Sequence, residues 1–262
     1  MIASTSAKIQ VEINGPVATL TINNPPANTW DVESLPALRD VVAALNDDLS
    51  VYALVITGSG DKFFSAGADL KLFADGDPAT ARTMGQHFGE AFEALSNFRG
   101  VSIAAINGFA MGGGLEVALA CDLRIVETQV KLALPEARVG LLPCAGGTQR
   151  LAQLVGEGWA KRMILCNERV DAETAERIGL VEQVVATGEA LQVAQALALQ
   201  AAQQSPIAVS LCKKLIHSAR DKAISDGLEL EREHFAALFT TEDQREGVNA
   251  FLEKREPRWK NA

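Results

Sequence analysis

The chain has 262 residues, 48% of them hydrophobic, which is sufficient for one large domain or two unequal ones. Its formal net charge of −9 argues against a general nucleic-acid binder, because such proteins usually present a basic face. An anionic ligand would therefore depend on local cations and on backbone N–H groups.

Short runs rich in valine and isoleucine predict β-strands in the first half of the chain. They cover residues 8–13, 17–22, 53–57, 101–106 and 123–126. Residues 34–46 show helical periodicity between these strands, since their leucines and valines fall on one helix face. Residues 79–98 show a similar pattern. Strands that alternate with helices predict an α/β fold.

From residue 147 onward, strand patterns nearly disappear. Helices are predicted over residues 191–204, 206–219, 226–239 and 241–254. Pro206 suits the start of a helix, because the N–H group that proline lacks would have no partner there. We therefore predict an α/β core in residues 1–190 and a helical C-terminal region in residues 191–262.

The cysteines indicate neither a metal site nor a disulfide framework. They form no CxxC pair and have no nearby histidine that would complete a zinc pattern, which suits a reducing compartment. The N-terminal residues lack the pattern of a signal peptide, and no apolar run reaches the roughly 18 residues of a membrane span. We expect a cytoplasmic protein with no membrane or nucleic-acid partner.

Three segments each combine an apolar lead-in, a loop of small residues and a predicted helix. They are FFSAGADL (63–70), GFAMGGGLE (108–116) and LPCAGGTQ (142–149). Small residues allow backbone N–H groups to approach a ligand, and a helix N-terminus adds free donors and partial positive charge. Such loops can hold a phosphate or an oxyanion that forms during a reaction. The known phosphate motifs, GxxxxGK[ST] and a GxGxxG that opens a β-α-β unit, are absent from the sequence.

Two glutamates accompany these loops. Glu116 directly follows the glycine triplet, and Glu136 follows a proline within the apolar run LALPEA. Two close carboxylates cannot both ionise at little cost, so one is expected to stay protonated at neutral pH. Such an acid and base pair suits the addition or removal of water across a carbon–carbon double bond. The alternative for Glu136 is a helix N-terminal residue that the helix dipole favours.

Together these segments resemble the crotonase, or enoyl-CoA hydratase, superfamily. The similar parts are FFSAGADLK (63–71), INGFAMGGGLEVALACDLRI (106–125), LPEARVGLLPCAGGTQRL (134–151) and EGVNAFLEKR (246–255). Their order and intervals also match, so the resemblance covers essentially the whole chain. It implies a crotonase-like fold of repeated ββα units, with a C-terminal helical oligomerisation region and a homotrimer or dimer of trimers.

The resemblance implies hydration of the 2,3 double bond of trans-2-enoyl-CoA thioesters. Ala68 and Gly113 would donate backbone N–H groups to the thioester oxygen. Glu116 would activate water for attack at C3, and Glu136 would deliver a proton to C2. Coenzyme A is part of the substrate, so no separate cofactor and no metal are expected. The alternatives are an enoyl-CoA isomerase, another crotonase-type acyl-CoA lyase, or a catalytically silent relative that binds CoA or RNA.

The resemblance also implies substrate-binding residues. Those in the first loop are Ala66, Gly67, Asp69 and Leu70. Basic residues near the CoA phosphates correspond to Lys62, Lys71 and Lys254, the last of which would serve the site of a neighbouring subunit. Many members carry a Lys or Arg just before Asn28, where this chain has Pro25-Pro26-Ala27, so CoA affinity is expected to be lower unless another cation compensates.

The expected acyl pocket is apolar. Its predicted residues include Phe73, Phe92 and Leu141, together with Met84 and Phe88. Cys144 stands where many hydratases have glycine, and its side chain would crowd the catalytic water. We expect this cysteine to be structural rather than nucleophilic, because no base is evident beside it.

Overall fold

A computed structural model describes residues 2–262 of the chain. Two compact units are present, of which the first ends at Ala198 and the second covers Leu199–Ala262. The boundary falls inside the helix Ala190–Ala202. The predicted α/β class is confirmed, because the first unit combines two sheets that contain parallel strands with helices on their faces.

The larger sheet of the first unit has six strands. In spatial order they are β1 (Ile9–Asn14), β2 (Val17–Ile22), β3 (Ala53–Gly58), β5 (Val101–Ile106), β7 (Leu123–Glu127) and β10 (Gln183–Val185). The pair β1 and β2 is antiparallel, and the remaining neighbours are parallel. The smaller sheet contains β4 (Phe63–Ser65), β6 (Phe109–Met111), β8 (Lys131–Ala133) and β9 (Val170–Asp171). Its strands β4, β6 and β8 are parallel.

The helices of the first unit follow the strands in a regular pattern. They are α1 (Ser34–Asp47), α2 (Pro78–Ser96), α3 (Gly113–Ala120), α4 (Gly147–Leu165), α5 (Ala172–Arg177) and α6 (Ala190–Ala202). Three successive segments, β3-β4-α2, β5-β6-α3 and β7-β8-α4, each place one strand in the larger sheet and the next in the smaller sheet. This arrangement confirms the predicted repeated ββα units.

Strand β3 shows how the core is built, because all six of its residues are buried. Leu54 and Ile56 belong to the cluster that α1 and α2 complete, whereas Ala53 and Val55 belong to the cluster that α6 completes. Helix α6 meets the sheet through three alanines spaced four residues apart, Ala190, Ala194 and Ala198. A strand covered on both faces reads as a continuous apolar run.

Helices dominate the second unit. They are α7 (Pro206–Ser218), α8 (Ile224–Leu238) and α9 (Glu242–Glu253). The C-terminal tail returns to α9, where Asp243 accepts the backbone N–H groups of Lys260 and Asn261 at 2.8 and 3.1 Å. Across residues 2–262, no helix is long and apolar enough to cross a membrane.

The structure differs from the sequence-based prediction mainly in its short strands. Strands β4, β6 and β8 have three residues each, which is too short for an alternating pattern to be recognised. Strands β9 and β10 lie beyond residue 147, where strand patterns nearly disappear. The short strands nevertheless matter most for the site, because the parallel strands β4, β6 and β8 end at one edge of the smaller sheet.

Candidate active site

A cavity of about 820 Å³ lies where the loops that follow β4, β6 and β8 meet. Ten of the predicted site residues line it: Ala66, Ala68, Leu70, Phe73, Phe88, Gly113, Glu116, Glu136, Leu141 and Cys144. These residues are separated by as many as 78 positions in the chain, from Ala66 to Cys144. Parallel pairing of the short strands brings them together.

The backbone N–H groups of Ala68 and Gly113 lie on the cavity wall, and neither has an acceptor among residues 2–262. Gly113 is the first residue of α3, where a helix leaves its N–H groups without intrahelical partners. Ala68 forms a parallel bridge with Trp30, which donates to Gly67 O at 2.8 Å and accepts from Asp69 N at 3.0 Å. Both hydrogen bonds are made by the residues on either side of Ala68, so the N–H of Ala68 itself points away from Trp30.

Glycine is required where the two loops touch. Gly67 has φ +88°, and a Cβ atom there would lie 2.7 Å from Met111 O and 3.0 Å from Gly113 N. A Cβ atom at Gly114 would overlap the carbonyl oxygen of Ser65. The small residues therefore hold the Ala68 and Gly113 segments against one another.

Glu116 lies in the first turn of α3, and only 2% of its surface is exposed. Its Oε1 atom accepts the backbone N–H groups of Ala145 and Gly147, each at 2.8 Å. Burial raises the pKa of Glu116 above its usual value, and the two N–H groups oppose this rise because they stabilise the carboxylate. These two hydrogen bonds hold the carboxyl group in position through its Oε1 atom.

Glu136 opens the 3-10 turn Glu136–Val139 and is half-buried. Its Oε2 atom is buried and has no hydrogen-bond partner among the described residues. Burial raises the pKa of Glu136 to about 7, and the charge of Glu116 contributes to the rise. A Cβ atom at Gly112, which has φ +55°, would lie 2.9 Å from Oε1 of Glu136. The glycine triplet thus leaves room for the second acid as well.

Comparison with known proteins places the chain in a family. The profile of the family described as Enoyl-CoA hydratase/isomerase matches residues 12–262. The chain belongs to the enoyl-CoA hydratase/isomerase family. This confirms the resemblance that the sequence motifs indicated.

Individual members of the family are similar over nearly the whole chain. The short-chain-enoyl-CoA hydratase of Clostridium acetobutylicum is 38% identical over 246 residues, which cover 94% of each chain. The solved structure of Pseudomonas aeruginosa DspI is 66% identical, with a TM-score of 0.95 and 97% of each chain covered. The solved structure of an enoyl-CoA hydratase from Bacillus anthracis is 35% identical, with a TM-score of 0.94 over 97% of this chain and 100% of that one.

In the present protein, Cys144 lines the same cavity as the two glutamates. Although the side chain is partly exposed there, desolvation raises the pKa of the Cys144 thiol to about 11, and the charges of Glu116 and Glu136 add to the rise. A thiol with this pKa stays neutral near pH 7, and the thiolate is the nucleophilic form. The geometry therefore supports a role for Cys144 in shaping the site.

Phe92, which the sequence suggests as part of the acyl pocket, is fully buried in the core and does not line the cavity. Its ring makes edge contacts with Trp30 and Phe88, at centroid distances of 5.5 and 5.6 Å. Phe88, which lies one helical turn earlier and was also predicted for the acyl pocket, does line the cavity. The two residues share one face of α2, and only the position of the helix decides which of them reaches the cavity.

Other predicted binding residues also lie outside the cavity lining. Gly67 is buried behind it, and Asp69 accepts the N–H of Lys71 at 3.1 Å and so caps the turn Leu70–Phe73. Lys71 is exposed, as is Lys62, whose Nζ atom lies 5.5 Å from the centroid of its neighbour Phe63. Lys254 belongs to the second unit, at the C-terminus of α9.

Two arginines line the cavity that the sequence-based prediction did not include. Arg138 lies two residues after Glu136, in the same 3-10 turn. Arg169 directly precedes β9, which pairs with β8. Arg138 could have been found from its place within the motif LPEARVG. Arg169 carries no such signal, because only the pairing of β8 with β9 brings it to the site.

Proposed function

We propose that the protein hydrates trans-2-enoyl-CoA thioesters to 3-hydroxyacyl-CoA. One observation carries this proposal: two glutamates in different environments share a cavity with two unpaired backbone N–H groups. The pKa of Glu136, about 7, suits a group that donates a proton near neutral pH. The similarity to relatives named as enoyl-CoA hydratases supports the same reaction.

The thioester oxygen would accept hydrogen bonds from the N–H groups of Ala68 and Gly113. Negative charge develops on this oxygen as the enolate forms, and donors aimed at that charge stabilise the transition state. The N-terminus of α3 adds its partial positive charge at the same point, because Gly113 is its first residue.

Water addition then needs one proton acceptor and one proton donor. The carboxylate of Glu116 takes a proton from water while the water oxygen bonds to C3, and the π electrons move toward C2 and the thioester oxygen. Protonated Glu136 gives its proton to C2, which completes the 3-hydroxyacyl product. One proton then passes from Glu116 to Glu136, directly or through water, and restores the starting states of the coupled pair.

The test is a screen of enoyl-CoA thioesters with the purified full-length protein. Hydration is followed by loss of the absorbance of the conjugated enoyl thioester and by mass spectrometry of the product. We expect a mass increase of one water molecule. Conversion of 3-enoyl to 2-enoyl thioesters without any gain of water would contradict hydration as the main reaction.

The position of Cys144 favours an enoyl-CoA isomerase as the second candidate. Its side chain lines the same cavity as both carboxylates, whose charges raise the pKa of its thiol, and it would crowd the catalytic water of a hydratase. An isomerase moves one proton along the substrate and needs no bound water. Fast isomerisation by the native protein, together with poor hydration, would favour this second candidate.

The proposal includes assembly as a homotrimer or dimer of trimers, with coenzyme A supplied as part of the substrate. Apolar side chains that are exposed on the helices of the second unit support an interface there; they are Ile216, Phe235, Phe239, Phe251 and Leu252. Light scattering measures the mass of the native assembly and so tests this oligomeric state. The roles of Lys254 at a neighbouring site and of the other lysines near CoA stay predictions, as do the location in the cytoplasm and the lack of RNA binding.

A further inference from the structure

One face of α2 forms part of the cavity wall. Ala81, Gly85 and Phe88 lie on it at helical spacing, and all three line the cavity. Phe88 marks the inner end, because a Cβ atom at Gly113 would lie 2.9 Å from its Cε1 atom. Seven residues of helix separate Phe88 from Ala81, so this wall runs for about 10 Å away from Gly113.

Gly85 has no structural explanation within the fold. Glycine in a helix interior is less favourable than alanine, because it loses more conformational freedom and buries no side chain. Gly85 does not have a positive φ, and a Cβ atom there would meet no atom within 4 Å. Neither backbone geometry nor close packing therefore requires glycine at this position. The space above it belongs to the cavity.

Gly89, one turn later in α2, provides the contrast. It does not line the cavity, and a Cβ atom there would make an ordinary contact of 3.7 Å with Oε1 of Glu93. The space that a side chain at Gly89 would fill is therefore not part of the cavity, so glycine there gives a ligand no additional room. At Gly85 and Ala81, small residues widen the cavity along the helix, and apolar Leu70 and Phe73 also line it.

We propose that Gly85 and Ala81 form one wall of an acyl channel that selects enoyl-CoA thioesters with chains longer than four carbons. This inference rests on the proposed function, because binding of the thioester at Gly113 places the start of the acyl chain beside Phe88. A four-carbon enoyl group has a single methyl group beyond its double bond, so it ends near Phe88. A longer chain continues past Gly85 toward Ala81 and fills the space that these small residues leave.

The test compares Gly85→Leu with the matched variant Gly89→Leu on the same helix. The measured quantity is the ratio of kcat/KM for trans-2-octenoyl-CoA to that for trans-2-butenoyl-CoA. We expect the ratio to fall at least about tenfold in Gly85→Leu, because each extra or missing methylene in an apolar pocket changes specificity by roughly 10–200-fold. Gly89→Leu should keep the ratio of the native protein. An unchanged ratio in Gly85→Leu would overturn the proposal.

Ala81→Leu is the second variant, since Ala81 is exposed and its replacement does not threaten folding. It should lower the same ratio, and circular dichroism of both channel variants reports whether the fold is intact. If Gly85→Leu is unfolded, Ala81→Leu decides the outcome, and an unchanged ratio there also overturns the proposal.

Calorimetric binding of octanoyl-CoA and butyryl-CoA separates this inference from the proposed reaction, because these saturated thioesters need no turnover. If the native protein prefers octanoyl-CoA and Gly85→Leu loses that preference, the channel is supported even when no hydration is detected. If hydration is detected but Gly85→Leu keeps the native chain-length preference in both assays, the channel is rejected and the proposed function stands.

Discussion

The backbone N–H of Gly147 donates to Oε1 of Glu116 at 2.8 Å, and this contact joins the first residue of α4 to the first turn of α3. A Cβ atom at Gly147 would lie 2.9 Å from the same oxygen and 2.8 Å from Cβ of Pro143. The position of one proposed catalytic carboxylate therefore depends on the lack of a side chain 31 residues later in the chain.

Gly147→Ala should displace the Glu116 carboxyl group without removing it. We expect kcat for hydration to fall by about 10², the usual effect of a misplacement near 1 Å, with a much smaller change in KM. Gly158→Ala is the control, because Gly158 lies beyond the kink that Gly156 makes in α4 and a Cβ atom there would meet nothing within 4 Å. Equal activity of the two variants in steady-state kinetics would show that Gly147 is not needed to position the Glu116 carboxyl group.

Glu116→Gln and Glu136→Gln test the proposed division of acid and base. Each should lower kcat for hydration by roughly 10²–10⁴, the usual contribution of a positioned acid or base. The double variant should be little worse than the poorer single variant, because residues that act as a unit are non-additive. Stopped-flow kinetics on one enoyl-CoA checks all three variants, and a fully active Glu136→Gln protein would disprove its role as proton donor.

Gly113→Pro removes one of the two proposed oxyanion donors. Proline is tolerated at the first position of a helix, but any Cβ atom at Gly113 approaches Phe88 at 2.9 Å. Gly113→Ala is therefore the matched control, since it adds the same Cβ atom and keeps the N–H. We expect Gly113→Pro to have a kcat about 10²–10³ below that of Gly113→Ala. Comparable turnover of two folded variants would count against this oxyanion site.

The raised pKa of Glu136 predicts a pH-dependent stability. The folded-state pKa of about 7 lies above the ordinary glutamate value of 4.5, so the folded protein binds more protons between these two pH values. The contribution of Glu136 to the free energy of unfolding is therefore fully present below about pH 4.5, and it is lost as the pH rises through about 7. Glu136→Gln should be less sensitive to pH in this window. Melting temperatures of both proteins from pH 5 to pH 8 measure the difference, and parallel curves would contradict it.

Cys144→Gly tests whether the thiol crowds the proposed water site. Removing the side chain should raise the ratio of hydration to isomerisation, because it makes room for water beside Glu116 and Glu136. Cys144→Ser is the control, since it keeps the size of the side chain nearly unchanged. Product analysis by mass spectrometry after incubation with a 2-enoyl and a 3-enoyl thioester gives both rates. A ratio that Cys144→Gly leaves unchanged would show that Cys144 does not exclude water.

Local pattern was sufficient to predict much of this fold. The five longer strands and helices α1, α2 and α6–α9 lie within a few residues of their predicted bounds, because apolar periodicity is a property of neighbouring residues. The motif FAMGGGLE placed Gly113 and Glu116 together for the same reason, since both lie in the first turn of one helix.

Tertiary structure decided what meets in the cavity. Ala68, Gly113 and Glu136 become neighbours through the parallel pairing of three-residue strands, and such short strands carry no readable period. Helical spacing also cannot separate Phe88 from Phe92, because both lie on the same face of α2 and only the packing of that helix turns Phe88 to the cavity. The pKa of Glu136 depends on removal of water by distant segments and on the charge of Glu116. Burial of this kind is a property of the assembled chain, so no pattern of adjacent residues contains it.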